Sequence, residues 1–142
     1  MKKNMALLID ANVLLDWLLD REPFAEDAGT ILQFCLDGKA DGYLAGHTIL
    51  NAFFLARKKL SGEYRRFALL FICEEFVVMD IKVEVIVELL EDEHLKDLED
   101  ALQIYCANLA SADYIITRDL KDFKNSPVPA LSPKEFLKMV GA

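Results

Sequence analysis

The chain has 142 residues, 54% of them hydrophobic, and a mean hydropathy of +0.20, which suffices for the core of one domain over 1–142 and excludes an intrinsically disordered segment. Twenty-four acidic residues against 16 basic ones give a net charge of −8, so long-range attraction to a phosphate backbone is excluded and any RNA ligand needs local basic patches or bound cations. No stretch approaches the roughly 18 apolar residues of a membrane span.

Lys2 and Lys3 ahead of Met5 look like the start of a signal peptide, but Asp10 and Asp16 cut the apolar run short. A cytoplasmic protein without membrane association is therefore expected. Cys35, Cys73 and Cys106 are far apart and lie in apolar helical contexts, the pattern of reduced core or half-buried thiols.

The first apolar run, Ala6-Leu7-Leu8-Ile9, has the length of a strand buried on both faces. It stops at Asp10-Ala11-Asn12, and apolar residues resume at helical spacing from Val13 through Leu19. Asp10 thus closes a central strand, where open α/β sheets bind ligands. Asp20-Arg21-Glu22-Pro23 reads as a turn, residues 24–36 as a helix stopped by Asp37-Gly38, and Tyr43-Leu44-Ala45 as a second strand ending at Gly46. Helices are predicted over 49–60, stopped by Ser61-Gly62, and over 63–74. Residues 76–79 are β-branched and aromatic enough for a third strand.

Residues 83–90 read as an amphipathic helix, and the acidic run Glu91-Asp92-Glu93 as a solvated connector to a helix over 98–109. Tyr114-Ile115-Ile116 is the fourth strand, and 128–131, with its proline, an edge strand. Ser132, Pro133 and Glu135 spell a capping box at the start of the last helix. Short buried runs alternating with amphipathic ones predict an α/β fold with a parallel sheet covered by helices.

Sorted on this frame, Asp10 and Asp119 end strands one and four, while Asp97 and Asp100 open the helix before strand four and share a face. Each has an ordinary alternative, as helix cap, dipole partner or turn former. If they converge, carboxylates in one place repel one another and raise their own pKa values unless a cation intervenes. Mg²⁺ or Mn²⁺ is the natural occupant, and divalent ions promote in-line phosphodiester displacement. His47 and His94 are isolated and read as surface or capping residues. Arg57-Lys58-Lys59 and Arg65-Arg66 form a basic rim, and Arg118 and Lys121 stand beside the acids as candidate phosphate contacts. Phe53, Phe54, Tyr64 and Phe67 near that rim read as core or interface.

Leu8-Ile9-Asp10-Ala11-Asn12-Val13-Leu14-Leu15-Asp16 resembles the opening motif of PIN domains. Asp97-Leu98-Glu99-Asp100-Ala101-Leu102-Gln103 and Ile116-Thr117-Arg118-Asp119-Leu120-Lys121-Asp122-Phe123 resemble their closing motifs. The resemblance covers nearly the whole chain. It implies a three-layer α/β/α sandwich around a parallel sheet, and Mg²⁺- or Mn²⁺-dependent endoribonuclease activity like that of VapC-type toxins, which implies a cognate antitoxin and a homodimer as partners. On the same resemblance, Asp10, Asp100 and Asp119 are the metal-binding and catalytic acids, Asn12 positions Asp10 or a water, Thr117 stands beside the site, and Asp97 and Asp122 are secondary.

One position departs from the pattern. Where many PIN domains carry a Glu early in the helix after strand two, this chain has Asn51, an amide that brings no charge and cannot act as a base. Asp97 is a candidate to supply the missing charge. The alternative reading is a catalytically weak or inactive PIN-like module that binds nucleic acid or protein. A phosphohydrolase with Asp10 as nucleophile is disfavoured, since its usual second acid two residues on is here Asn12.

Overall fold

The computed structural model describes residues 4–142; Lys2 and Lys3, read above as a signal-like start, lie outside the described residues. Five parallel strands, β1 (Met5–Ile9), β2 (Ala40–Ala45), β3 (Val77–Met79), β4 (Tyr114–Ile116) and β5 (Ala130–Leu131), form one sheet in the order β3-β2-β1-β4-β5. The chain builds outward from β1 to β3, then crosses back to β4 on the other side. The crevice between the C-terminal ends of β1 and β4 is therefore the topological switch point, where open α/β sheets leave room for a ligand.

Alternation along the strands gives each face its own core. Leu7, Ile9, Leu44 and Ile116 point to one face and pack with residues of α1 (Ala11–Leu18), α2 (Ala25–Leu36), α3 (Gly46–Leu55), α4 (Gly62–Glu75) and α7 (Pro133–Val140). Leu8, Ala45 and Ile115 point to the other, against Cys106 and Ala107 of α6 (Leu98–Leu109) and Phe123 of a 3-10 turn over Leu120–Phe123. The result is the three-layer α/β/α sandwich around a parallel sheet. No helix among the described residues is long and apolar enough to cross a membrane.

Boundaries shift where packing outweighs local pattern. Strand β2 begins at Ala40, ahead of the expected start at Tyr43, because Ala40 to Tyr43 pair in register with Met5 to Leu8. Gly42 is needed there, since a Cβ would stand 2.5 Å from the Phe76 ring. Helix α3 stops at Leu55 and not at residue 60, and the arginines read as a basic rim are engaged at that end. Arg57 donates to the Phe54 carbonyl and Arg65 to the Phe53 carbonyl, the guanidinium carbons lying 3.8 and 4.3 Å from those ring centroids. Ser61 opens α4 as its N-cap, accepting from the Tyr64 amide, where the sequence suggested a stop. The capping box on α7 forms as read.

Two other expectations change. Cys106 is buried and Cys35 half-buried, but Cys73 is exposed. His47 is no surface or capping residue: its ring nitrogens are buried without a hydrogen-bond partner, and that burial lowers its pKa. The end of β3 also explains Gly46 at the start of α3, since an added Cβ would come within 2.8 Å of the Met79 carbonyl oxygen. Gly46→Ala should destabilise the fold by about 1–3 kcal/mol through overpacking against backbone, read as a lower midpoint in urea denaturation.

Candidate active site

Asp10 is where the pairing of β1 with β4 ends, its amide still donating to the Ile116 carbonyl. Its backbone is extended, which makes it the N-cap of α1, and Oδ1 accepts from the Ala11 amide at 2.9 Å. The same oxygen accepts from Gln103 Nε2 at 2.9 Å, reaching in from α6. Oδ2 accepts from Thr117 Oγ1 at 2.7 Å and from Asn12 Nδ2 at 3.3 Å. Two forces oppose each other here: burial, which leaves the residue 6% exposed, penalises the charge, while these donors favour it. Burial wins, and the pKa rises to about 6.

Asn12 ties Asp10 to the next acid. Its amide nitrogen also reaches Asp119 Oδ2 and Thr117 Oγ1, both at 3.2 Å, and its Oδ1 accepts from the Arg118 amide. Thr117 Oγ1 in turn accepts from the Asp119 amide. The turn leaving β4 is thereby held against the start of α1, with Asp10 and Asp119 on either side of one NH₂ group.

The opposite wall comes from the N-terminus of α6. Asp97 is its N-cap, accepting from the Asp100 amide at 2.9 Å. Asp100, half-buried and facing the same cleft, is pushed up to about 7 by burial and then by Asp97, Asp122, Asp10 and Glu99. Burial and Asp97 raise Glu99 as well. Asp10, Asn12, Asp97, Asp100, Asp119 and Asp122, with Asn51 from α3, all line one cleft of about 390 Å³. Thr117 lies buried beneath it.

The basic candidates fare differently. Arg118 lines the cleft, but its guanidinium is committed to Asp16: Nε donates to Oδ2 at 2.6 Å and one terminal nitrogen to Oδ1 at 3.1 Å. Asp16 is 1% exposed and also takes Arg21 Nε at 2.8 Å. This two-arginine clamp holds the β4 exit to α1. Lys121 is exposed on the 3-10 turn and does not line the cleft.

Sequence reasoning missed Asp16, Arg21, Gln103, Thr48 and Glu99. Asp16 carried a signal, an acid inside the apolar run Leu14-Leu15-Asp16-Trp17-Leu18. Gln103, three residues after Asp100 on the same helix face, bridges Asp10 to Thr48 Oγ1 at 3.1 Å. Glu99 stands inside the stretch Asp97-Leu98-Glu99-Asp100, where nothing sets it apart from the acids on either side.

Whether these residues suit a metal ion is a question of donor chemistry. Among the described residues no group of three or more His, Cys, Asp or Glu side chains is arranged to hold a metal ion. What the cleft provides is a wider ring of oxygen donors, in which burial and then mutual repulsion raise the pKa values of Asp10, Glu99 and Asp100. That fits a hard divalent ion such as Mg²⁺, which keeps several waters and takes only one or two carboxylates directly.

A parallel α/β/α domain with an acid-lined cleft at its switch point is an architecture suited to holding a ligand or hard cation at that crevice. The chain belongs to the PIN domain family, whose members are generally nucleases: the family model matches residues 6–121. Solved structures agree on the fold. A toxin–antitoxin complex from Klebsiella pneumoniae matches with a TM-score of 0.65 and 25% identity, over 89% of this chain and 97% of that one. FitAcB from Neisseria gonorrhoeae matches at 0.60 and 20%, over 90% and 98%. VapBC2 from Rickettsia felis, bound to a DNA fragment from its promoter, matches at 0.65 and 14%, over 90% and 98%. No curated protein matches the chain.

Raised carboxyl pKa values make the metal-free stability pH-dependent. Between the ordinary Asp value of 3.8 and the folded values of about 6 and 7, the folded state holds protons that the unfolded state has lost, so stability falls as pH rises through that window. In chelator, the thermal midpoint contributed by these groups should drop from pH 5 to pH 8. Asp100→Asn should flatten the drop, and Mn²⁺ at pH 8 should reverse it in the parent only.

Proposed function

We propose that the chain, a single PIN domain over residues 1–142, is a metal-dependent endoribonuclease that hydrolyses RNA phosphodiester bonds in the cytoplasm as the toxin of a type II toxin–antitoxin module. The observation that carries this reading is the meeting of Asp10, Asp100 and Asp119 around one cleft at the switch point, two of them with raised pKa values. The toxin–antitoxin complexes among the structural neighbours support the module and a small antitoxin as partner.

Asp10, Asp100 and Asp119 would hold Mg²⁺ or Mn²⁺, with Asp97 and Asp122 adding negative charge. When bound, the ion supplies Lewis acidity toward a phosphoryl oxygen and makes a nearby water a better nucleophile at neutral pH. The chain's own residues do the rest. Thr117, Asn12 and Gln103 fix both oxygens of Asp10, so no rotamer search precedes binding. Asn12 holds Asp119 at a set separation from Asp10. Asp16 draws Arg118 over the edge of the cleft, leaving one guanidinium nitrogen without a protein acceptor among the described residues to meet a phosphate oxygen. Lys121, outside the lining, is left for a phosphate farther along the strand.

The second reading, a weak or inactive binding module, draws on Asn51, which sits in the cleft lining without charge. Mixed RNA with Mg²⁺ or Mn²⁺ separates the two. The parent should cleave, and Asp10→Asn, Asp100→Asn and Asp119→Asn should each lower the rate about a hundredfold or more, with weaker Mn²⁺ binding by calorimetry. Absence of Asp10-dependent cleavage with either metal would favour the binding module.

Homodimerisation belongs to the same reading and is supported by uncovered apolar surface. Helix α5 (Val83–Leu90) has six apolar residues and none buried, and Phe54, Phe67 and Leu70 on α3 and α4 are 58%, 72% and 60% exposed. A monomer in water would leave both faces wet. The rims are of opposite charge, with Glu84, Glu88 and Glu91 along α5 and Arg57, Lys58 and Arg66 near the Phe residues, so a two-fold pairing of the faces is self-complementary. Light scattering should give twice the 16.1 kDa chain mass, and Val87→Glu with Phe67→Glu should return the monomer.

A further inference from the structure

The acid-lined cleft does not end at Arg118. On the far side of that side chain lies a second cavity of about 410 Å³, which Arg118 also lines. It opens at the same C-terminal rim of the sheet, where β4 runs into Arg118 and β5 runs into Ser132, Pro133 and Lys134. An extended ligand leaving the cleft across the guanidinium enters this cavity next.

Its chemistry is mixed in a particular way. Phe24, at the start of α2, leaves 39% of its surface exposed in the cavity wall, and the Arg118 guanidinium carbon sits 3.9 Å from its ring centroid. Local stability does not ask for a phenylalanine there, since as N-cap of α2 it makes no side-chain capping bond. Lys134 is exposed in the first turn of α7, the end of a helix where a cation is unfavourable. Its charge adds to that of Arg118, and both favour an anion, while the N-terminus of α7 itself is met by the Glu135 carboxylate of the capping box. Asp27 is half-buried in the same wall and, when ionised, can only accept hydrogen bonds.

A stacking ring, a cation and a lone acceptor are together the complement of one nucleotide. The ring meets the base face, the cation the phosphate, and the acceptor an exocyclic amino group.

We propose that this second cavity holds the base of a nucleotide flanking the scissile phosphate of single-stranded RNA, stacked on Phe24, with Lys134 on its phosphate and Asp27 accepting from an amino group of adenine or cytosine. The proposal rests on the ribonuclease reading for its substrate. Guanine carries an amino group too, beside its N1–H, whereas uracil has none and offers Asp27 only its ring N3–H, so the cavity ranks the amino-bearing bases, adenine and cytosine among them, above uracil.

The test uses binding, so that it does not depend on cleavage. In the full chain carrying Asp10→Asn, fluorescence anisotropy with oligo(A), oligo(C) and oligo(U) of about ten nucleotides should show the first two binding tighter than the third. Adding Phe24→Ala should weaken binding about tenfold, the value of one base–aromatic stack, while Phe24→Trp restores it and thermal melting confirms that each variant is folded. Asp27→Asn should erase the preference over oligo(U). Lys134→Ala should reduce the salt dependence by about one phosphate contact. Unchanged affinity in Phe24→Ala, an unchanged base preference in Asp27→Asn, or no binding of any oligonucleotide overturns the proposal. A chain that binds in this way but never cleaves supports the cavity and removes the nuclease assignment alone.

Discussion

The structure depends on one carboxylate kept out of water at the junction of β1 and α1. Asp10 is almost fully buried, and four donors from its own helix, from the β4 exit and from α6 converge on its two oxygens. An unpaired charge in that position would be strongly destabilising. Satisfying it obliges three separate segments to arrive at the same point, so the requirement of a single side chain fixes how the β4 turn and α6 sit on the sheet. Gln103 pays a visible cost for its part: its Oε1 is buried without a partner.

Electrostatics explains why the site is both strained and useful. An overall charge of −8 is concentrated further by Asp97, Asp100, Asp119, Asp122 and Glu99 facing one cleft, and Asp100 and Glu99, pushed by burial first and by neighbouring acids after it, hold their protons to higher pH. The basic residues of the lining, Arg21 and Arg118, are both turned toward Asp16, so their hydrogen bonds go to that carboxylate and not to the acids of the cleft. The clamp thereby separates two tasks. It welds α1 to the β4 exit on one side and leaves an acid ring in need of a cation on the other.

Much of this was legible beforehand. Strands β1 and β4 declared themselves as short apolar runs ending in Asp10 and in Thr117-Arg118-Asp119, and the α7 capping box was written in Ser132, Pro133 and Glu135. The acids singled out by position do line a common cleft. Less legible were elements whose local pattern conflicts with their surroundings. Strand β2 starts earlier than the apolar run Tyr43-Leu44-Ala45 indicates, because pairing with β1 and the close approach of Phe76 to Gly42 bring residues 40–42 into the sheet. Helix α3 looks longer than it is, because Arg57 and Arg65 cap carbonyls that another turn of helix would have used.

The sequence by itself determined the order of strands and helices, the placing of carboxylates at strand ends and helix starts, and the family to which those spacings belong. Each of these is carried by residues within a few positions of one another, so periodicity and capping rules reach them. Only the tertiary structure decided that Gln103 and Thr117 would donate to Asp10 and that Asp16 would claim Arg118. It alone set Phe24 against that guanidinium and left α5 without a buried residue. Those outcomes join positions that are distant along the chain, some by about a hundred residues, and no local pattern encodes which of many polar groups will meet. Packing of both helical layers on one twisted sheet selects the pairs.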